Sequence, residues 1–103
     1  HVAVNRTAAP SYAYMSPDDP AVTEPFLPDE RLDLATAIGG FTMGSAYVNH
    51  LDEETGSIEV GKRADLVVLD RNLFEHPVAE IHEAKALLTL VDGVRVHGAA
   101  DFC

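Results

Sequence analysis

Apolar residues recur at helical spacing in the first half of the chain and as near-continuous strand-like runs in the second. Val2, Ala3 and Val4 against Asn5 and Arg6 predict a short helix within residues 1–9, stopped by Pro10. Residues 10–28 carry Pro10, Pro17, Pro20, Pro25 and Pro28, with Tyr12, Tyr14 and Phe26 between them, and read as an irregular segment. Asp33 is placed to cap a helix whose Leu34, Ile38 and Phe41 share a face, and Gly39-Gly40 weakens its end. Thr42 is placed to cap a second helix, with Met43, Ala46, Tyr47, His50 and Leu51 on one face.

The second half reads as β-structure. Ile58 and Val60 alternate with Ser57 and Glu59, the pattern of a short half-buried strand or extended turn. Gly61 then allows a positive φ, and Lys62 and Arg63 keep the turn in water. Leu66-Val67-Val68-Leu69 is apolar on both faces, so a strand here calls for cover on both sides; Asp65 and Asp70 limit its length. Residues 72–77 form a loop, and Val78 to Glu83 a helical turn with Ile81 inward. Asp92-Gly93 separates two β-rich runs, 86–91 and 94–97, and predicts a two-residue type I′ hairpin. Its simple register sets Val91 against Val94 and Thr89 against Val96, with a buried first strand and a half-polar edge strand. The fold class expected is α+β, with short N-terminal helices followed by antiparallel β-structure.

Composition narrows the function. The 103 residues, 47% hydrophobic, suit one small core. A net charge of −10, from 17 acidic and 7 basic side chains, repels phosphate backbones and argues against nucleic-acid binding. No run approaches the ~20 apolar residues that span a bilayer, and no secretory leader is legible at the start. The chain opens on His1 and not on Met, which predicts a fragment or a processed product. Cys103 has no partner for an internal disulfide, so a cytoplasmic location is expected.

Candidate chemistry is sparse. His1, His50, His76, His82 and His97 form no His-x-His pair and no His-Glu-x-x-His helix, so no metal ligand is assigned. Ser11, Ser16, Ser45 and Ser57 lack a nucleophile-elbow context. Asp18-Asp19 and Glu53-Glu54 read as solvated turns, and Gly39-Gly40 and Gly44 follow no strand, so no phosphate loop is indicated. His50, at the edge of an apolar helix face, is the least ordinary of these residues and reads as a packing histidine. No catalytic, cofactor-binding or metal-binding residue is assigned.

One run carries a resemblance. Gly56 to Asp70, Gly-Ser-Ile-Glu-Val-Gly-Lys-Arg-Ala-Asp-Leu-Val-Val-Leu-Asp, resembles the signature just past the catalytic barrel of metal-dependent amidohydrolases. His1-Val2-Ala3-Val4-Asn5-Arg6 is similar to the helix after the last barrel strand in their YtcJ-like branch, the amidohydrolase-3 group. Leu32 to Leu51 resembles the final barrel helix and the short helix after it, and Ala86 to Gly98 the closing hairpin. The resemblance implies a hydrolase of carbon–nitrogen bonds other than peptide bonds. In that family a (β/α)8 barrel holds one or two divalent metals, zinc foremost, that activate water and polarise the scissile carbonyl. It implies that residues 1–52 are a remnant of the last barrel helices plus the aromatic, proline-rich loop. Residues 53–103 are then part of a composite β-sandwich completed by an N-terminal segment. The implied role of this stretch is structural, with no cofactor of its own and with the missing barrel as partner. Cut free, it is expected to form a homodimer. The alternatives are a free-standing, non-catalytic β-rich domain that self-associates or binds a partner, and a small enzyme using the aromatic loop as a pocket.

Overall fold

The computed structural model describes residues 1–10 and 16–98, so Ser11, Tyr12, Tyr14 and Cys103 lie outside the described residues. Short helices and a three-stranded antiparallel sheet make the fold α+β. The chain separates into two compact units, His1–Ala37 with Asn72–Ala84, and Ile38–Arg71 with Lys85–Cys103, which interleave along the sequence.

The first unit begins with helix α1, Val2–Asn5. It ends before Pro10 because Arg6 turns left-handed at φ 58° and its N–H closes on the Val2 carbonyl. Arg6 then binds the segment that follows: Phe26 N–H donates to the Arg6 carbonyl at 2.8 Å, Arg6 Nε donates to the Phe26 carbonyl at 2.9 Å, and the guanidinium lies over the Phe26 ring. The proline-rich stretch holds more structure than its composition suggests. Asp19 caps helix α2, Pro20–Thr23, by accepting the Ala21 N–H at 2.8 Å, with Pro20 at the first helical position. The pair Asp19-Pro20 is itself a helix-start signal, outweighed in the sequence reading by the density of prolines. Leu32 N–H donates to the Ala3 carbonyl at 2.9 Å, and Asn5 Nδ2 to the Val78 carbonyl at 2.8 Å, on the 3-10 turn Val78–Glu83. Val4 and Ala37 are buried.

Asp33 caps helix α3, Leu34–Gly39, accepting the Thr36 N–H at 2.7 Å and the Thr36 hydroxyl at 3.0 Å. The glycine pair does not end it. The helix widens into a π-helical stretch, Gly40–Gly44, and continues as α4, Ser45–Val48. Thr42 is therefore no cap: its hydroxyl donates back to the Ile38 carbonyl at 2.7 Å, one turn below. Glycine lowers helix propensity without forbidding helix, and here the backbone bonds run on through it. The helix stops at His50, left-handed at φ 60°, while Leu51 N–H reaches the Ala46 carbonyl at 2.8 Å.

No strand forms at Ile58 and Val60. Both are exposed, because this segment wraps around the Lys62 side chain and finds no neighbouring strand. Strand β1, Leu66–Leu69, pairs antiparallel with β2, Ala86–Val91, and β2 with β3, Val94–Gly98, in the order β1-β2-β3. The type I′ turn forms as predicted, with Asp92 at φ 50° and Gly93 at φ 79°. Gly93→Val is expected to destabilise by about 1 kcal/mol or more, read as a lowered denaturant midpoint, since no β-branched residue suits that φ. An unchanged midpoint would count against a rigid turn.

The register departs from the simple one. Val91 faces Val94 and Leu90 faces Arg95, but Thr89 faces His97, so Val96 is an extra residue in a β-bulge. The bulge brings Gly98 opposite Leu88 at φ 118°, where a Cβ would sit 2.4 Å from the Leu87 carbonyl oxygen. The expected burial of β1 and β2 is not met among the described residues. Leu88 is buried, while Val67, Val68, Leu87 and Val91 are exposed. Each strand has apolar faces, and the described residues leave Val67, Val68, Leu87 and Val91 uncovered.

Candidate functional site

The side chains singled out in the sequence are mostly spent on structure. Asp65 accepts the Asp92 N–H at 2.7 Å, and Gly93 N–H donates to the Ala64 carbonyl at 3.0 Å, tying the hairpin turn to the start of β1. At the other end Asp70 accepts the Lys85 N–H at 3.1 Å and donates its own N–H to the Lys85 carbonyl at 2.9 Å. The two aspartates that bracket β1 thus clamp both ends of β2. Of the paired acids, Asp19 caps α2 and Glu54 pairs with Arg63.

The five histidines do not converge. His1 and His82 meet edge to face with ring centroids 5.2 Å apart. His50 terminates α4, His76 is exposed, and His97 Nε2 lies 3.0 Å from the Ala86 carbonyl. Among the described residues, no three His, Cys, Asp or Glu side chains come close enough to hold a metal ion.

The polar centre that the sequence reading missed is Lys62. Its side chain is 11% exposed, not extended into water. Nζ donates to Ser57 Oγ at 2.8 Å and to the Thr55 carbonyl at 3.4 Å, and pairs with Glu59 at 3.1 Å. Ser57 in turn donates to Glu59. The spacing Ser57, Glu59, Lys62 around Gly61 was the available signal, since residues this close across a tight turn can fold onto one cation. A serine beside a lysine invites a nucleophile reading, but an ammonium that donates its protons to three acceptors has no lone pair with which to take the Ser57 proton. The group is a clasp. It holds the turn against the helix, where Gly56, at φ 98°, packs on Met43 and Ala46.

Beside the clasp lies an open cleft of about 580 Å3, lined by Ile38, Phe41 and Asn49 from the helix, Ile58 from the turn, and Leu66 and Val67 from β1. Part of its polar lining is engaged internally: Thr42 with Ile38, Asn49 Nδ2 with the Ser45 carbonyl at 2.8 Å, and Asp65 with Asp92.

The carboxylates with shifted titration follow the same structural roles. The Thr36 backbone N–H and then its hydroxyl hold Asp33 below the usual carboxylate range; the Ser57 hydroxyl and then Lys62 do so for Glu59; Arg71 and then the Lys85 N–H do so for Asp70. Each folded value lies below its unfolded one, so the stabilisation is complete above the unfolded carboxylate range and is lost as pH falls through the folded values. Melting temperature is therefore expected to hold from pH 7 down to about pH 5 and to decline below about pH 4, with a shallower decline in Asp70→Asn. A flat profile down to about pH 2 would show that these bonds contribute nothing to folding.

Residues 6–97 match the amidohydrolase family. An N-substituted formamide deformylase of Arthrobacter pascens is 41% identical over 70 residues, which is 68% of this chain and 13% of that enzyme. An imidazolonepropionase of Bdellovibrio bacteriovorus is 31% identical over 68 residues, 66% of this chain and 16% of that enzyme. The chain thus spans well under a fifth of the length of these relatives. No solved structure matches it. The family match runs from the left-handed turn at Arg6 to His97 in β3 and takes in the helix, the Lys62 clasp and the clamped sheet; the chain belongs to the amidohydrolase family.

Proposed function

We propose that this chain is the C-terminal portion of a YtcJ-like amidohydrolase, a cytoplasmic metal-dependent hydrolase of non-peptide carbon–nitrogen bonds, and that its own role is structural. The observation that carries this reading is the match itself: nearly the whole chain aligns with the family, yet with 13% and 16% of two enzymes whose names denote a deformylase and an imidazolonepropionase. In the parent, residues 1–52 would close the catalytic barrel and residues 53–103 would build a β-sandwich with a segment from elsewhere in the polypeptide. The side-chain accounting agrees with a structural role, since Asp65, Asp70, Lys62 and Glu59 are engaged in holding the fold. A divalent metal belongs to the proposed parent. The described residues do not fit one: His1 and His82 meet ring to ring, with no carboxylate or third histidine beside them. No step of catalysis is assigned to this chain.

The purified chain, assayed on N-substituted formamides and cyclic amides with added zinc or manganese, is expected to show no turnover above blank. Turnover that requires metal and disappears with chelator would overturn the structural reading. A self-associating β-rich domain is the second reading, favoured by the open apolar positions Val67, Val94 and Val96. On either reading the isolated chain is expected to form a homodimer that light scattering detects at about 100 μM, dissociating on dilution; a compact monomer there would overturn both expectations of association.

A further inference from the structure

The first unit holds a cavity of its own, open and of about 520 Å3, in which none of the interactions described so far ends on a ligand. Its apolar lining is assembled from segments distant in sequence: Val4 from α1, Val22 from α2, Leu34 from α3 and Val78 from the 3-10 turn. Hydrogen bonds fix those segments together. Ala8 N–H donates to the Ala21 carbonyl at 2.7 Å, Leu32 N–H to the Ala3 carbonyl at 2.9 Å, and Asn5 Nδ2 to the Val78 carbonyl at 2.8 Å. The fold therefore builds the cavity without help from a ligand, as binding pockets generally are built.

Two charged residues of opposite sign, Arg31 and Asp33, complete the lining. Arg31 is the anomaly. In a chain of net charge −10, Arg6, Lys62, Arg63 and Arg71 are all engaged, yet the Arg31 guanidinium has no hydrogen bond or ion pair among the described residues. Asp33, two residues on, does not pair with it. One oxygen accepts the Thr36 N–H and the other the Thr36 hydroxyl, which leaves each a further lone pair. Asn5, also in the lining, has its amide nitrogen bonded and its Oδ1 without a partner. We propose that this cavity binds a free α-amino acid with an apolar side chain. Its carboxylate pairs with Arg31, its ammonium donates to Asp33 and Asn5 Oδ1, and its hydrocarbon lies against Val4, Val22, Leu34 and Val78. The charges select this class. A plain carboxylate would meet Asp33 with no positive group of its own, a plain amine would leave Arg31 unpaired, and an uncharged apolar molecule would desolvate both charges without pairing either.

The test titrates the 103-residue chain with L-leucine, followed by calorimetry and amide-resolved NMR. Saturable one-site binding is expected, with a Kd of the order of a millimolar or tighter and with shifts concentrated at Asn5, Leu32, Asp33 and Val78. Isocaproate, which is leucine without its ammonium, and isoamylamine, which lacks the carboxylate, are each expected to bind at least about tenfold more weakly. Arg31→Gln is expected to weaken leucine by about tenfold or more while leaving the melting temperature within error, since Arg31 has no bond to lose. Asp33→Asn keeps a capping side chain and removes the charge, so it should weaken leucine and leave isocaproate unchanged or tighter. Isocaproate binding as tightly as leucine, or leucine binding that survives Arg31→Gln, would overturn the proposal. So would shifts confined to the second unit, or no saturable binding up to about 20 mM. Each of those results leaves the proposed structural role standing, because the cavity's ligand does not depend on it.

Discussion

Replacing Gly56 by alanine is expected to cost about 2–5 kcal/mol, the sum of a left-handed backbone and a steric clash. Gly56 has φ 98°, and a Cβ there would stand 2.8 Å from the Ala46 Cβ and 3.2 Å from the Met43 Cα. Neither atom is the end of a flexible side chain, so the turn must lift away from the helix. That movement would also strip Ser57 and Thr55 from Lys62. Gly61 supplies the control: its φ is 95°, but nothing lies within 4 Å of a Cβ built on it. Gly61→Ala should therefore show the backbone cost alone, about 1–2 kcal/mol. Urea denaturation of the two variants separates the contributions, and equal losses would mean that the turn does not press on the helix.

Leu88→Ala is expected to be comparably damaging, at about 2–5 kcal/mol. Leu88 is 5% exposed and is, among the described residues, the one large side chain of the sheet that is buried; the other buried described residue of its unit is Ala46. So small a core leaves little to close around the space a leucine vacates. Leu87, 40% exposed on the adjacent position, gives the comparison, since its truncation removes less buried surface and should cost under about 1.5 kcal/mol. Similar losses at the two positions would show that the sheet is covered on both faces in solution, as a dimer through the sheet would require.

The elements whose signals are local were legible in the sequence. Asp33 at a helix start and Asp92-Gly93 each specify a conformation through bonds made within a few residues, the apolar run at 66–69 specifies a strand by its own β-branched and apolar composition, and all three are found where expected. The family was legible for a related reason, because the run from Gly56 to Asp70 must satisfy a turn, a clasp and a strand at fixed spacing. Asp19-Pro20 carried an equally local signal that the surrounding prolines masked.

What the tertiary structure decided are the outcomes that depend on how a turn closes in three dimensions or on partners distant in sequence. Lys62 reads as a solvated cation until the turn folds its ammonium onto Thr55, Ser57 and Glu59. The bulge at Val96 depends on β2 and β3 together, since pairing alternatives one residue apart differ only in what the whole strand places on each face. Burial is the largest such outcome. An alternating or continuous apolar pattern states that a face requires cover, but the cover must come from other segments. In this chain the first half predicted two capped helices and the structure gives one helix through a π-helical stretch, while β1 and β2 keep apolar faces open. The sequence by itself determined the local turns, the strands and the family. Only the assembled chain decided which of the apolar positions are covered, because the hydrophobic effect has no preferred partner and takes whatever surface topology brings within reach.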